Sequence, residues 1–298
     1  LSRTSEHESD SRSQRRKDYL DALQHRYDNN ELPQNLQRET LVGVPYVCGN
    51  VESTGGRLWV VGNNPQLFDF FLPERWRKTA LWRLSSEVEL SYTVTKDGVH
   101  LLWTPSRAGE AVNSADGRVR HYGNPFMVAA VLRLLAQRGI SVVAPRAIYR
   151  TGTARLSPVE DHTEFAKELR AQRTTGEVAL REDRNYLMTF GFYAWVGEGK
   201  VTKKPPPPPR PVGLALAARQ GLVPEEDALR VCRRIQREVE EVGFDASALT
   251  PDDLLAELAD DDRLLRDESG ELSVRLHNVE LLVPRGALED LELHSSPF

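Results

Sequence analysis

Cysteine is scarce in this chain, with only Cys48 and Cys232 among 298 residues. Two thiols cannot build a disulfide framework or a cysteine-ligated zinc site, so the reading is a reduced, cytoplasmic protein. Cys232 falls on the apolar stripe of an expected helix, where a free cysteine serves as a small core residue. Long apolar runs are missing too. No stretch approaches the ~18 residues a membrane-spanning helix needs, and no membrane partner is expected. Residues 1–18 hold no apolar segment of the kind a secretory leader has. Basic excess is also absent: 39 Lys and Arg face 44 Asp and Glu, a net charge of −5. Nucleic-acid surfaces are usually basic, so no nucleic acid is expected as a partner.

The common catalytic signatures are absent as well. There is no Gly-x-Ser-x-Gly elbow and no glycine-rich phosphate loop. The seven histidines show no paired metal-ligand spacing. An acidic stretch beginning at Asp260 places Asp260, Asp262 and Glu271 at positions 1, 3 and 12 of a calcium loop. Positions 5 and 6 are Leu264 and Leu265, which removes a ligand and the turn glycine, so the site is rejected.

What is present is an ordinary globular composition, with 40% apolar residues. Residues 1–40 read as a mostly disordered tail with a short helix at 18–28. From 41 to 202 a β-rich domain is expected. Its strands are Leu41–Cys48, Arg57–Gly62, Lys78–Leu84, Glu87–Thr95, Val99–Thr104, Ser141–Ala144, Arg146–Tyr149 and Tyr186–Val196. Lys96-Asp97-Gly98 supplies a hairpin turn. Trp59, Trp76, Trp82 and Trp103 read as core. Asn124 is a natural N-cap, Pro125 suits the first helical position and Gly139 the C-terminal cap, so a buried helix is expected over 125–138. Ser157, Pro158 and Glu160 predict a second helix, over 158–173.

Residues 203–211 form a polyproline linker. Pro205, Pro208 and Arg210 also match a proline-rich ligand for aromatic-grooved adaptors, although composition favours the linker. The part from 212 to 298 is read as helical with a terminal hairpin. Its long helix opens at Pro224 and ends at Gly243, with Leu229, Cys232, Ile235, Val239 and Val242 as the apolar stripe. Arg230, Arg233, Arg234 and Arg237 lie on the other face. Pro251–Leu258 reads as a helical piece, and Arg263–Arg266 with Leu272–Leu276 as the hairpin. The fold class is therefore α+β: a β-rich N-terminal part with one buried helix, a proline connector, and a helical C-terminal part ending in a β-hairpin.

This order of elements resembles the protein-kinase-like superfamily, as does the stretch from Asp262 through Leu264-Leu265, the turn at Gly270 and Val274-Arg-Leu-His-Asn278-Val-Glu280. The resemblance implies a cleft that takes ATP and Mg2+ between two lobes. On it, Asp262 matches the metal-binding asparagine of the catalytic loop, Asn278 the metal-binding aspartate and Glu257 the catalytic base. Arg107 stands in for the phosphate-binding cation. The glycine-rich loop is absent and the 124–138 helix carries no acidic residue. Phosphoryl transfer depends on such positioning and charge neutralisation, so the resemblance implies a degenerate, pseudokinase-like protein with little or no phosphotransfer. The alternative is a non-catalytic protein-interaction module of unrelated α+β fold. Its partner surface would be the acidic segment 252–271 or the arginine face of helix 224–242.

Overall fold

The computed structural model describes residues 32–76, 81–85, 89–94, 100–108, 110–113, 119–151, 185–190, 210–259, 261–267 and 269–286. The expected helices at 18–28 and 158–173, the turn at 96–98 and the prolines at 205–209 lie outside these residues.

Ten strands make up most of the first half: β1 (Leu36–Leu41), β2 (Val44–Val51), β3 (Gly56–Val61), β4 (Leu81–Arg83), β5 (Ser91–Val94), β6 (His100–Pro105), β7 (Ala111–Asn113), β8 (Val119–His121), β9 (Pro145–Arg150) and β10 (Asn185–Phe190). Eight of them form one sheet of order β1-β2-β3-β9-β10-β6-β5-β4, and every neighbouring pair is antiparallel. β7 and β8 pair separately. The β-rich N-terminal part is thus as the sequence reads. The expected tail, however, already contains β1. Ser141–Ala144 is not a strand; only Val142 makes an isolated bridge, to Leu276.

The central strands read as near-continuous apolar runs because both sheet faces are covered, and successive side chains point to opposite faces. Tyr46, Cys48, Trp59, Ile148 and Leu187 enter one core. Their neighbours Val47, Leu58, Val60, Ala147, Tyr149, Tyr186 and Met188 enter a second core. That second core is closed by a 3-10 turn over Pro65–Phe71 and one helical turn at Pro73–Trp76, which contribute Phe68, Phe70, Phe71 and Trp76. Trp59, Trp76 and Trp103 are core, as expected. Trp82 is not: it is 49% exposed, because it lies on the edge strand β4.

Helix α1 (Pro125–Gln137) forms for the reasons its sequence states. Asn124 Oδ1 accepts the Met127 amide at 2.9 Å, Pro125 fills the first turn, and Gly139 follows with φ of +85°. Ala129, Leu132 and Leu135 are fully buried against the sheet.

The second half comprises β11 (Arg210–Gly213), α2 (Leu214–Arg219), α3 (Glu225–Glu241), β12 (Phe244–Asp245), a 3-10 turn at Pro251–Asp253, β13 (Leu254–Leu258), β14 (Val274–Leu276) and β15 (Val283–Pro284). Several expectations are corrected here. Arg210 and Pro211 belong to a strand, not to the linker, because they pair with Leu258 and Glu257. The piece expected to be helical at 251–258 is a 3-10 turn running into β13. The closing hairpin joins β13 to β14, while Arg263–Arg266 contributes isolated bridges only. Helix α3 buries Ala228, Val231, Cys232, Ile235 and Val239, and Leu229 is 38% exposed instead of core.

The two halves share one core. Tyr46 and Ile148 of the sheet, Leu132 of α1, Ile235 of α3 and Leu254 of β13 belong to a single apolar cluster. No helix among the described residues is long and apolar enough to cross a membrane.

Candidate functional site

Among the described residues a line of polar side chains runs between the halves, and Ser85, Asp253, His277, Asn278 and Glu280 in it are buried. It starts at the 3-10 turn before β13. Thr250 and Asp253 form a capping box: the Thr250 amide donates to Asp253 Oδ2 at 2.8 Å and its hydroxyl donates to the same oxygen at 3.0 Å. The sequence signal is Thr-Pro-x-Asp, in which proline opens the turn and the acid closes it. Asp253 Oδ1 then accepts the Asn278 amide at 2.6 Å. Asn278 Oδ1 accepts the Glu280 backbone N–H at 3.2 Å.

Glu280 carries the line into the first half. Its carboxylate accepts the Arg107 backbone N–H at 3.4 Å, Nε at 3.3 Å and Nη2 at 3.2 Å. The Arg107 guanidinium stacks 3.8 Å from the Tyr122 ring centroid. The Glu280 carbonyl accepts the Gly123 N–H at 2.9 Å, just before the N-terminus of α1. A side branch runs from Asp252. Its carboxylate accepts the Ser85 hydroxyl at 2.8 Å, and its carbonyl meets His277 Nε2 at 3.0 Å. A carbonyl only accepts, so the ring donates through Nε2.

Burial decides the electrostatics. It pushes the Asp253 carboxyl up to about 6, against the lowering effect of the Thr250 and Asn278 hydrogen bonds. It pushes the His277 imidazole down to about 4. It raises Glu280 as well, and the nearby Arg107 charge opposes it.

The sequence-expected site residues divide into two sets. Asn278 and Arg107 do meet, through Glu280. Glu257 and Asp262 lie elsewhere. Glu257 pairs with Arg275 of β14 at 3.2 Å. Asp262 is exposed in a left-handed turn with φ of 62° and pairs with Arg210. Neither shares a hydrogen-bonding partner with Asn278 among the described residues. Asp262 and Asn278, expected to face one cation, thus have different surroundings: Asp262 is exposed beside Arg210, and Asn278 is buried against Asp253. The residue that meets Asn278 is Asp253, 25 positions before it in the chain. Sequence reasoning gave Asp253 no role, because it fell inside Pro251–Leu258, read as a helical piece.

The fit to ATP and Mg2+ is poor. The carboxylates of Asp252, Asp253 and Glu280 already receive protein donors. Among the described residues no group of three or more His, Cys, Asp or Glu is placed to hold a metal. Beside the polar line the halves touch directly. Leu84, Leu90, Tyr92 and Leu102 of the first half, with Val143, pack on Leu255 of β13. Gly213 sits so close to the Leu84 backbone that a Cβ would clash with the Leu84 carbonyl oxygen.

No known family model, no curated protein and no solved structure matches this chain.

Proposed function

We propose that this chain is a degenerate kinase-like protein that works by binding another protein, without phosphotransfer and without a nucleotide between its halves. The order of elements supports the family resemblance. Strands β4, β5, β6, β10 and β9 are contiguous in the sheet, and α1 enters the chain between β6 and β9. This resembles a five-stranded lobe with one helix; here β1, β2 and β3 extend the same sheet, and the described second half mixes two helices with short strands.

A second stretch of the sequence supports the same reading. The family's catalytic loop has a base aspartate, then leucine, three residues and a metal-binding asparagine. Ala248-Leu249-Thr250-Pro251-Asp252-Asp253 is similar to that loop, with Asp253 at the asparagine position and Ala248 at the base. Asn278 keeps the position of the metal-binding aspartate. On this alignment the carboxylate and the amide have exchanged places and the base is gone.

The observation that carries the non-catalytic reading is the closed seam. Leu255 lies against Leu84, Leu90, Tyr92 and Leu102, where the family resemblance puts a nucleotide between its lobes. The polar groups beside it bond one another. An open cleft would leave those groups to solvent or ligand, and their burial is tolerable only because they are mutually satisfied.

Thermal unfolding of the full chain with and without Mg-ATP tests the reading. A native-state binder gains roughly 2.7 kcal/mol at a hundredfold excess over its dissociation constant. No rise in melting temperature at millimolar Mg-ATP is expected. A clear rise that Asn278→Ala abolishes would sink the proposal.

A further inference from the structure

We propose that the outer face of α3 is a docking groove for an acidic, amphipathic segment of a partner protein, with Arg233 and Arg237 as its charge contacts and Leu229 as its apolar anchor. The inference rests on reading the chain as an interaction protein, and it names the surface and the chemistry of the partner.

An open groove of about 380 Å³ runs along this face, lined by Arg230, Arg233, Gln236, Arg237 and Glu240. The four arginines of the helix are not equivalent. Arg230 pairs with Asp227 at 2.9 Å, one turn earlier. Arg234 is half-buried and lies 3.9 Å from Glu238. Arg233 and Arg237 are exposed and have no carboxylate partner among the described residues. Arg237 Nε donates to the Arg233 carbonyl at 3.4 Å, which anchors its root and leaves the tip of its guanidinium to solvent. The groove floor is fixed as well: Gln236 Nε2 donates to the Leu249 carbonyl at 2.8 Å.

Leu229 is an independent observation. It is 38% exposed on a helix that otherwise buries its apolar residues. Arg233 and Arg237 follow it at i+4 and i+8, so the three share one face. An exposed leucine in line with two exposed guanidinium groups that have no carboxylate partner among the described residues matches a segment with one apolar residue and carboxylates about a turn apart. Guanidinium takes carboxylate bidentately, which gives such a contact direction as well as charge.

The charge order along α3 selects among occupants. Glu225, Glu226 and Asp227 precede the arginines, and Glu238, Glu240 and Glu241 follow or flank them. The cationic stretch therefore spans about two turns. A long polyanion or an anionic bilayer would run onto carboxylates at both ends, and the whole chain carries −5. A second copy docking face to face would set arginine against arginine. A short acidic segment meets neither obstacle.

The test is an anisotropy titration of the full chain with a labelled synthetic peptide carrying leucine and paired glutamates at i and i+4. Matched titrations use a single-stranded DNA oligonucleotide and phosphatidylserine vesicles. Saturable peptide binding that salt weakens is expected, and Arg233→Glu with Arg237→Glu should reduce affinity roughly tenfold or more. Leu229→Asp should also weaken it. Both arginines are exposed, so the melting temperature of the double variant should match the parent; the milder Arg233→Gln with Arg237→Gln serves if it does not. Absent peptide binding, binding indifferent to charge reversal, or tighter binding to DNA or vesicles would each overturn the inference. The Mg-ATP experiment decides the closed seam separately: a chain that ignores both ATP and peptide sinks only the groove.

Discussion

His277 and Asp253 are buried neighbours whose pKa values move in opposite directions, and this makes their pH dependence separable. The folded His277 titrates at about 4 against an ordinary 6.5. The unfolded chain therefore takes up a proton that the folded chain refuses, and the stability contribution present above pH 6.5 is lost as pH falls through about 4. Asp253 titrates at about 6 in the folded state against 3.8. Its contribution is fully present below 3.8 and is lost as pH rises through about 6. Each full displacement is worth about 3 kcal/mol, of which about 2 kcal/mol falls between pH 7 and pH 4.5.

The two nearly cancel in the parent protein. In His277→Gln the amide can still donate to the Asp252 carbonyl, and only the acid-sensitive partner is removed. Urea unfolding at both pH values, on parent and variant, reads the difference. Acidification should shift the variant's stability relative to the parent by about 2 kcal/mol in the variant's favour. Other titrating groups are common to both proteins and drop out. Parallel pH profiles would refute the argument that burial holds His277 neutral.

Leu255→Ala removes a fully buried side chain from the seam, and should cost about 2–5 kcal/mol in urea unfolding. Gly213→Ala would force its Cβ against the Leu84 carbonyl oxygen. Overpacking of about 1–3 kcal/mol is expected, seen as a lower melting temperature; an unchanged one would mean that β11 moves easily away from the Leu84 backbone. Asn124→Ala removes the cap of α1 and should cost ~1 kcal/mol by the same measurement.

Much of the fold was readable locally. The cap, proline and terminal glycine around α1 act within a few residues, so its limits were clear. The same holds for α3, opened by Pro224 and ended by Gly243. The strands expected on either side of Lys96-Asp97-Gly98 do pair, as β5 with β6. Other elements were misread because their local signals are ambiguous. Residues 254–258, Leu-Leu-Ala-Glu-Leu, favour helix by propensity, and pairing with β11 and β14 overrides it. Leu229 fits a helical stripe drawn through Cys232, but the helix is rotated so that Ala228 and Val231 face the core. The candidate site was half legible: Asn278 and Arg107 were named, whereas Asp253 and Glu280 were not given their roles.

By itself the sequence determined the α+β class, the one nearly all-round apolar helix, and the lack of a phosphate loop, because periodicity, caps and motif residues act over a few positions. Tertiary structure alone decided that β4–β6 join β9 and β10 in one sheet, and that Asp253 rather than Asp262 meets Asn278. It alone closed Leu255 against Leu84. These contacts join residues about 25 to 170 positions apart. No local preference encodes them, since they form only when two apolar surfaces and a line of mutually satisfying polar groups are buried together.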